Sequence, residues 1–122
     1  ADMYLMPSFS EACGLNQLYS MKYGTIPIVR RVGGLADTIV EYSPQTLAEG
    51  TATGFSFQEH TSEAFLKAIE RAIEIYEEPP LWMQLQYLAM QQDWSWSKRV
   101  REYVDLYHMT LPKEYRKRGA FL

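Results

Sequence analysis

Three short apolar runs separated by helical patterns constrain the fold of this chain more than any other feature. Each run is followed by proline, glycine or polar residues, which is typical of strands. The three predicted strands are Met3–Met6, Ile26–Val29 and Gly54–Phe57. We expect the first to be buried, and we expect Pro27 to lie at a strand start or an irregular edge because it cannot donate a ladder hydrogen bond.

Helical spacing of apolar residues follows the first two strands. Leu15, Leu18 and Tyr19 indicate a helix that ends at Gly24, since glycine is favoured just past a helix C-terminus. A second, short helix is expected from Leu35 to about Val40, after a loop that ends in two glycines. Strands alternate with helices in this way in α/β proteins, so we predict the α/β class with a parallel sheet.

The second half of the chain is predicted to be mainly helical. One helix begins near Ser62, with Thr61 or Ser62 as its cap, and ends before Pro79 and Pro80. The other predicted segments are an irregular connection over residues 43–53, helices over residues 81–92 and 97–109, and a basic, weakly ordered tail over residues 112–122.

Composition argues against several classes of protein. The 12 basic and 15 acidic residues give a net charge of −3, so there is no electrostatic basis for nucleic-acid binding. No apolar run approaches the roughly 18 residues that suggest a membrane span. A single cysteine cannot form an internal disulfide. The opening "ADMYLMPS" lacks a charged leader and an initiator methionine, which predicts a start partway through a larger domain.

Two loops carry the candidate chemistry: "PSFSEACGL" after the first strand and "RRVGGL" after the second. They should share one crevice, because the carboxyl ends of parallel strands lie at the same edge of a sheet. Each precedes a predicted helix, whose free N–H groups and partial positive charge suit phosphate. Gly14, Gly33 and Gly34 would let a ligand approach those helix starts. The alternative is that these glycines only satisfy tight turns.

Glu11 and Cys13 are the side chains of the first loop that could take part in chemistry. A carboxylate at Glu11 would repel phosphate but grip sugar hydroxyls; the alternative is a solvated acid. Cys13 is far in sequence from His60 and His108, so a packing role explains it better than nucleophilic catalysis. No cluster of His, Cys, Asp and Glu has the spacing of metal ligands, so no metal site is predicted.

Other polar and aromatic residues have two interpretations. Arg30 and Arg31 either screen phosphate charge or form a solvated pair. The three tryptophans are expected to anchor helix packing rather than to stack on carbohydrate; they are Trp82, Trp94 and Trp96.

The stretch "PSFSEACGLNQLYSMKYGTIPIVRRVGGLADTI" closely resembles the C-terminal domain of bacterial glycogen synthases and plant starch synthases. "TGFSF" and "DWSW" also lie where that family has similar segments. The resemblance covers about residues 1–109 and implies a partial Rossmann-like parallel sheet with flanking helices, the C-terminal portion of a GT-B glycosyltransferase.

That resemblance implies transfer of glucose from ADP-glucose or UDP-glucose to the non-reducing end of an α-1,4-glucan. Configuration would be retained, and neither a metal nor a cofactor would be needed. Glu11 would be the catalytic residue, an acid that faces the donor sugar. The donor-binding residues implied by position are Cys13, Gly14, Leu15, Gly33, Gly34 and Leu35.

The resemblance also implies a domain organisation. Residues 1–96 would be part of a nucleotide-sugar-binding domain, residues 97–111 a terminal helix that braces a missing N-terminal domain, and residues 112–122 a tail. The partners would be that domain, the nucleotide sugar and the glucan, without nucleic acid or membrane. The location would be cytoplasmic in a bacterium or a plastid in a plant.

Two departures from the family pattern lie in the loops: Ala12 replaces a proline and Val32 replaces a threonine. Three alternatives to an active glucosyltransferase stay open at this point. They are a nucleotide-sugar-binding remnant without activity, a truncated reading frame, and another glycosyltransferase of the same architecture.

Overall fold

A computed structural model describes residues 1–110 of the chain. Strands and helices alternate in the first half of these residues, and only helices follow the third strand. The elements are β1 (Met3–Met6), α1 (Asn16–Lys22), β2 (Ile26–Arg30), α2 (Gly33–Thr38), α3 (Pro44–Ala48), β3 (Phe55–Phe57), α4 (Ser62–Tyr76), α5 (Pro79–Met90) and α6 (Trp96–Thr110). Residues Ala1–Gln92 form one compact unit, and a second unit begins at Asp93.

The three strands form one parallel sheet in the order β1-β2-β3. Helix α1 connects β1 to β2, and helices α2 and α3 connect β2 to β3, as parallel strands require. The predicted α/β class with a parallel sheet is confirmed. Pro27 is the second residue of β2 and precedes Ile28, where pairing with β3 begins, so its missing N–H falls near the strand start as predicted.

Strand β2 is the buried centre of the sheet. Ile26, Ile28 and Val29 are all completely buried, because a central parallel strand is covered on both faces. Helix α4 contacts β2 and β3 and buries Ala68 and Ala72, which lie one helical turn apart and are small enough to let the helix approach the sheet closely. Burying each larger aliphatic side chain contributes roughly 1.5–3 kcal/mol to the stability of the fold. Strand β2 is therefore a stable base for the two loops.

Strand β1 is less buried than its apolar sequence predicts. Tyr4 is 37% exposed and Leu5 is 47% exposed, whereas Met6 is buried. The prediction of a buried strand is therefore wrong for most of β1. The reason is its place at the edge of the sheet, where β2 is its one partner among the described residues.

The first helix ends as its sequence predicts. The N–H of Gly24 donates to the carbonyl of Met21 at 3.0 Å, and the N–H of Thr25 donates to the carbonyl of Ser20 at 2.9 Å. These two bonds are the Schellman pattern that closes a helix with glycine. The chain then enters β2 directly.

Residues 43–53 are not wholly irregular, so that prediction is wrong. They contain α3, which Ser43 caps by accepting a hydrogen bond from the N–H of Thr46 at 3.0 Å. The Thr46 hydroxyl in turn accepts from the Ser43 N–H at 2.8 Å. Pro44 occupies the first turn, where no N–H is needed, so the proline begins a helix rather than interrupting one.

Two other helices begin earlier than predicted. Helix α5 begins at Pro79 instead of Leu81, since proline is favoured in a first helical turn. Helix α2 begins at Gly33 instead of Leu35 and ends at Thr38. Helix α4 has the predicted start, with Thr61 as its cap.

The tryptophans differ in their surroundings. Trp82 is buried between Phe55 and Tyr76, with ring centroids 6.5 and 5.2 Å away, so its predicted packing role is confirmed. Trp96 is 73% exposed and contacts Tyr103 at 6.1 Å within α6, so it does not anchor helix packing in the part of the chain that the structure describes.

Helix α6 belongs to the second unit, and none of its residues is buried. The predicted basic tail over residues 112–122 lies outside the described residues. Among residues 1–110, no helix is both long enough and apolar enough to cross a membrane.

Candidate functional site

The two loops predicted to share a crevice are in direct contact. Residues 7–15, called the first loop below, follow β1, and a two-residue turn follows β2 before α2. The N–H of Gly34 donates to the carbonyl oxygens of Glu11 and Ala12, at 3.3 and 3.2 Å. Both loops leave the carboxyl ends of parallel strands, so the predicted common edge is confirmed.

Gly33 and Gly34 are required by the closeness of that contact. A Cβ atom at Gly33 would overlap the carbonyl oxygen of Glu11, and a Cβ atom at Gly34 would overlap the backbone of Cys13. Gly33 also has a φ of +47°, which residues with a side chain rarely adopt. The space expected for a ligand beside these two glycines is therefore filled by the first loop. Their assignment as donor-binding residues, like that of the buried Leu35, stays a prediction.

Four successive carbonyl groups of the first loop, those of residues 11–14, accept hydrogen bonds from Gly34 and Gln17. Gly34 binds the first two, as described above. The side-chain Nε2 of Gln17 donates to the last two, at 3.2 and 3.1 Å. The loop backbone is thereby held with its carbonyl oxygens turned inward.

Inward carbonyls leave the following amides facing outward, because the C=O and N–H of a trans peptide point in opposite directions. The four amides concerned are those of residues 12–15, of which Cys13, Gly14 and Leu15 are nearest the start of α1. None of them donates a hydrogen bond to another residue in the described part of the chain. Cys13 and Leu15 are exposed, and Gly14 is half-buried. Three unpaired donors next to the start of α1 can bind the oxygen atoms of a phosphate or a sugar.

Glu11 lies at the entry to this row of amides. Its side chain is half-buried, and its carboxylate makes no hydrogen bond or ion pair with any residue between 1 and 110. A carboxylate without an internal partner keeps all its acceptor capacity for a ligand, which suits hydroxyl groups. Its predicted role as a sugar-facing acid is not tested by this geometry.

Cys13 has no hydrogen-bonded base among residues 1–110. Cys13 is free and exposed, and no described residue accepts a hydrogen bond from its thiol. His60 is far from Cys13 in the sequence but does reach the first loop. It packs there against Phe9, with ring centroids 5.1 Å apart. His60 lies at this edge because it follows the carboxyl end of β3, a placement that sequence separation alone could not indicate.

Arg30 donates hydrogen bonds to two backbone carbonyls at this edge. Its Nη1 donates to the carbonyl of Phe9 at 2.7 Å, and its Nε donates to the carbonyl of Gln58 at 3.2 Å. Its guanidinium also lies 5.9 Å from the centre of the Phe9 ring. Arg30 thus ties the first loop to the end of β3. Arg31 is exposed.

Gln17 is the residue of this region that sequence reasoning missed. It is completely buried, although it is polar and only one residue into α1. The available signal was its spacing of four residues from Met21, which places both side chains on the interior face of the helix. No arrangement of three or more His, Cys, Asp or Glu residues that could hold a metal ion occurs among the described residues.

Comparison with known proteins places this site in a family context. The family model described as glycosyl transferases group 1 matches residues 1–84. The glycogen synthase of Kosmotoga olearia is 52% identical over 111 residues, covering 91% of this chain and 23% of the relative. The glycogen synthase of Thermotoga petrophila is 50% identical over 114 residues, covering 93% of this chain and 23% of the relative.

The chain is also similar to a solved structure, the catalytic domain of starch synthase IV from Arabidopsis thaliana bound to ADP and acarbose. The TM-score is 0.81 at 36% sequence identity, covering 89% of this chain and 22% of the other. The chain thus spans less than a quarter of the length of these relatives. The predicted resemblance to glycogen and starch synthases is confirmed, as is the predicted fold, a portion of a GT-B glycosyltransferase.

The close approach at Gly33 makes a testable prediction. Gly33→Ala should lower the free energy of unfolding by about 3 kcal/mol or more, because overlap with the Glu11 carbonyl adds to left-handed backbone strain. Gly50→Ala is a matched control: its φ is +73°, but a Cβ there would meet only Leu88, at an ordinary 3.8 Å. The control should lose about 1–2 kcal/mol. Urea unfolding measures both, and equal losses would mean that the first loop does not constrain Gly33.

Proposed function

Because the chain belongs to the glycosyl transferases group 1 family, we propose that it forms the donor-binding part of a retaining glucosyltransferase of glycogen or starch synthesis. The reaction is transfer of glucose from a nucleotide sugar to the non-reducing end of an α-1,4-glucan. One observation carries the proposal: in the same loop, the amides of Cys13, Gly14 and Leu15 and the carboxylate of Glu11 are all without a partner among the described residues.

The proposed donor is ADP-glucose rather than UDP-glucose. The support is the starch synthase IV structure, whose bound nucleotide is ADP and which shares 36% of its aligned residues with this chain. Glycogen synthases that are about half identical to the chain support glucan as the acceptor.

The chemistry follows from where charge develops. Breaking the bond between glucose and diphosphate leaves negative charge on the diphosphate and positive charge at the sugar. The amides of Cys13, Gly14 and Leu15 would bind sugar and diphosphate oxygens, and their orientation is fixed before the donor arrives. The carboxylate of Glu11 would orient the sugar hydroxyls and favour the positive charge. Gly33 and Gly34 would contribute by holding the first loop in place.

Helix α6 is proposed to brace an N-terminal domain of the intact enzyme. An apolar stripe runs along it at spacings of four, three and four residues, and each member of the stripe is at least 46% exposed: Trp96, Val100, Tyr103 and Tyr107. A helix with such a stripe needs a surface to cover it. The proposed organisation keeps residues 1–96 as the nucleotide-sugar-binding part. The cytoplasmic location implied by the resemblance stays a prediction.

The first test is donor-nucleotide binding. Isothermal titration calorimetry of the 122-residue chain should detect ADP binding, and Gly14→Val should abolish it. Gly14 has a φ of +66°, and a Cβ there would lie 2.6 Å from the Gln17 Oε1, so valine would displace the loop that carries the amides. Gly50→Val, at a φ of +73° away from the loop, is the control and should retain the wild-type affinity. No heat at millimolar ADP would contradict the proposal.

The second test addresses Glu11. In a chimera of the Kosmotoga olearia glycogen synthase that carries this chain in place of its matching segment, Glu11→Gln should lower kcat by about 100-fold or more. The affinity for ADP should change less than about twofold, since the carboxylate faces the sugar. Glu59→Gln, an exposed acid after β3, should leave kcat unchanged. A Glu11→Gln chimera with wild-type kcat would show that Glu11 has no part in the mechanism. Glucose transfer by the 122-residue chain alone would show that no second domain is needed.

The third test addresses α6 in the same chimera. Replacing Val100 and Tyr107 by serine should lower the Tm by about 4 °C or more, because the stripe would lose its contact with the N-terminal domain. Replacing Lys98 and Asp105, which lie outside the stripe, is the matched control and should leave the Tm within about 1 °C. Equal Tm values for the two pairs would rule out the brace.

A further inference from the structure

We propose that Gln17, together with Thr38, is a positioning residue that holds the amides of Cys13, Gly14 and Leu15 toward the donor. The inference rests on the proposed function, in which those amides bind the nucleotide sugar. Gln17 touches no ligand in this scheme. It acts through the carbonyl groups whose peptide planes carry the amides.

The evidence begins with the buried side-chain amide of Gln17. Its Nε2 donates to the carbonyls of Cys13 and Gly14, at 3.2 and 3.1 Å, and to the hydroxyl of Thr38 at 3.2 Å. An amide nitrogen has two hydrogens, so three acceptors share them. The two loop carbonyls belong to the peptide planes that aim the amides of Gly14 and Leu15 outward.

Thr38, the last residue of α2, closes the arrangement from the second helix. Its hydroxyl donates to the carbonyl of Gly34 at 2.7 Å while accepting from Gln17. The N–H of Gly34 binds the carbonyls of Glu11 and Ala12. The bonds therefore run in a chain from the Gln17 side chain through Thr38 and Gly34 back to the first loop, so a change at either side chain reaches every outward amide.

The unpaired oxygen of Gln17 indicates that this orientation serves the loop. Its Oε1 is buried and has no hydrogen-bond partner in the described chain. A buried unpaired acceptor costs about 1–3 kcal/mol. Rotating the carboxamide would not remove that cost, because the oxygen would then face the carbonyls of Cys13 and Gly14. The side chain keeps its donors on the loop although its acceptor stays unpaired.

The oxygen also explains a second feature of the loop. A Cβ of residue 14 would come within 2.6 Å of this oxygen, and the φ of +66° at Gly14 further disfavours a side chain there. The backbone of the first loop can therefore pass directly over the Gln17 carboxamide. Gly14 and Gln17 therefore depend on each other: the glycine gives the carboxamide room, and the carboxamide holds the backbone of the loop.

The test compares ADP binding in variants of the 122-residue chain by calorimetry. Gln17→Met keeps the length of the side chain but removes its donors, and should weaken ADP binding by about tenfold or more, as expected for the loss of a buried hydrogen bond. Thr38→Val should weaken binding in the same direction. Thr38→Ser keeps the hydroxyl and should bind ADP like the wild type.

The matched control is Gln86→Met. Gln86 also donates its side-chain amide to a backbone carbonyl, that of Gly24 at 2.7 Å, but Gly24 precedes β2 and lies at the opposite edge of the sheet. Both glutamine variants should lower the Tm, whereas only Gln17→Met should change the ADP affinity. An ADP affinity within about twofold of wild type in folded Gln17→Met would overturn the inference.

Nuclear magnetic resonance separates this inference from the proposed function. If the wild type shows no heat with ADP, the proposed function fails, and Gln17 is judged by the amide resonances of Cys13, Gly14 and Leu15 without ligand. Broadened or doubled peaks at these residues in Gln17→Met, with single peaks in Gln86→Met, support the positioning role. Unchanged peaks in both variants refute it.

Discussion

The contact between Gly34 and the first loop is the constraint on which the candidate site depends. Two strand–loop–helix units meet there with backbone against backbone, since a Cβ at Gly33 or Gly34 would overlap the first loop. The N–H of Gly34 anchors the carbonyls of Glu11 and Ala12. Without that anchor the first loop would be tied to β2 only through Arg30, and its amides would be oriented only by Gln17. The site is thus a property of two parallel strands, and neither loop could form it alone.

The sequence predicts the strands of the sheet better than the contacts that the sheet makes. The three strands and the glycine end of α1 follow from local patterns, and all lie where the patterns place them. Proline accounts for the errors at α3 and α5, because Pro44 and Pro79 lie in the first turns of helices instead of interrupting them. The exposure of β1 could not be predicted from its composition, because it depends on which strands pair rather than on which residues are apolar.

The candidate site shows the same division between local and distant information. Glu11, Gly14 and the glycine pair stand out in the sequence because loops with such residues are unusual. The role of Gln17 cannot be seen in the sequence, because its partner Thr38 lies 21 residues away. No periodic pattern links a side-chain amide to a hydroxyl on another helix. A buried glutamine at helical spacing from Met21 signals that some partner exists, but only the parallel sheet identifies it.

The distribution of charge at this edge then limits how the chain can bind a diphosphate. The guanidinium of Arg30 donates to the carbonyls of Phe9 and Gln58, so part of its donor capacity is committed to holding the first loop. What the first loop offers instead is a row of neutral donors whose direction is fixed by Gln17 and Gly34. Such donors recognise the position of oxygen atoms and stabilise charge through oriented dipoles. Full neutralisation of a diphosphate needs cationic side chains as well, and in the proposed enzyme these come from outside the first loop. In the proposed enzyme the contribution of the first loop would be geometric, because its amides would fix where the leaving group lies relative to Glu11.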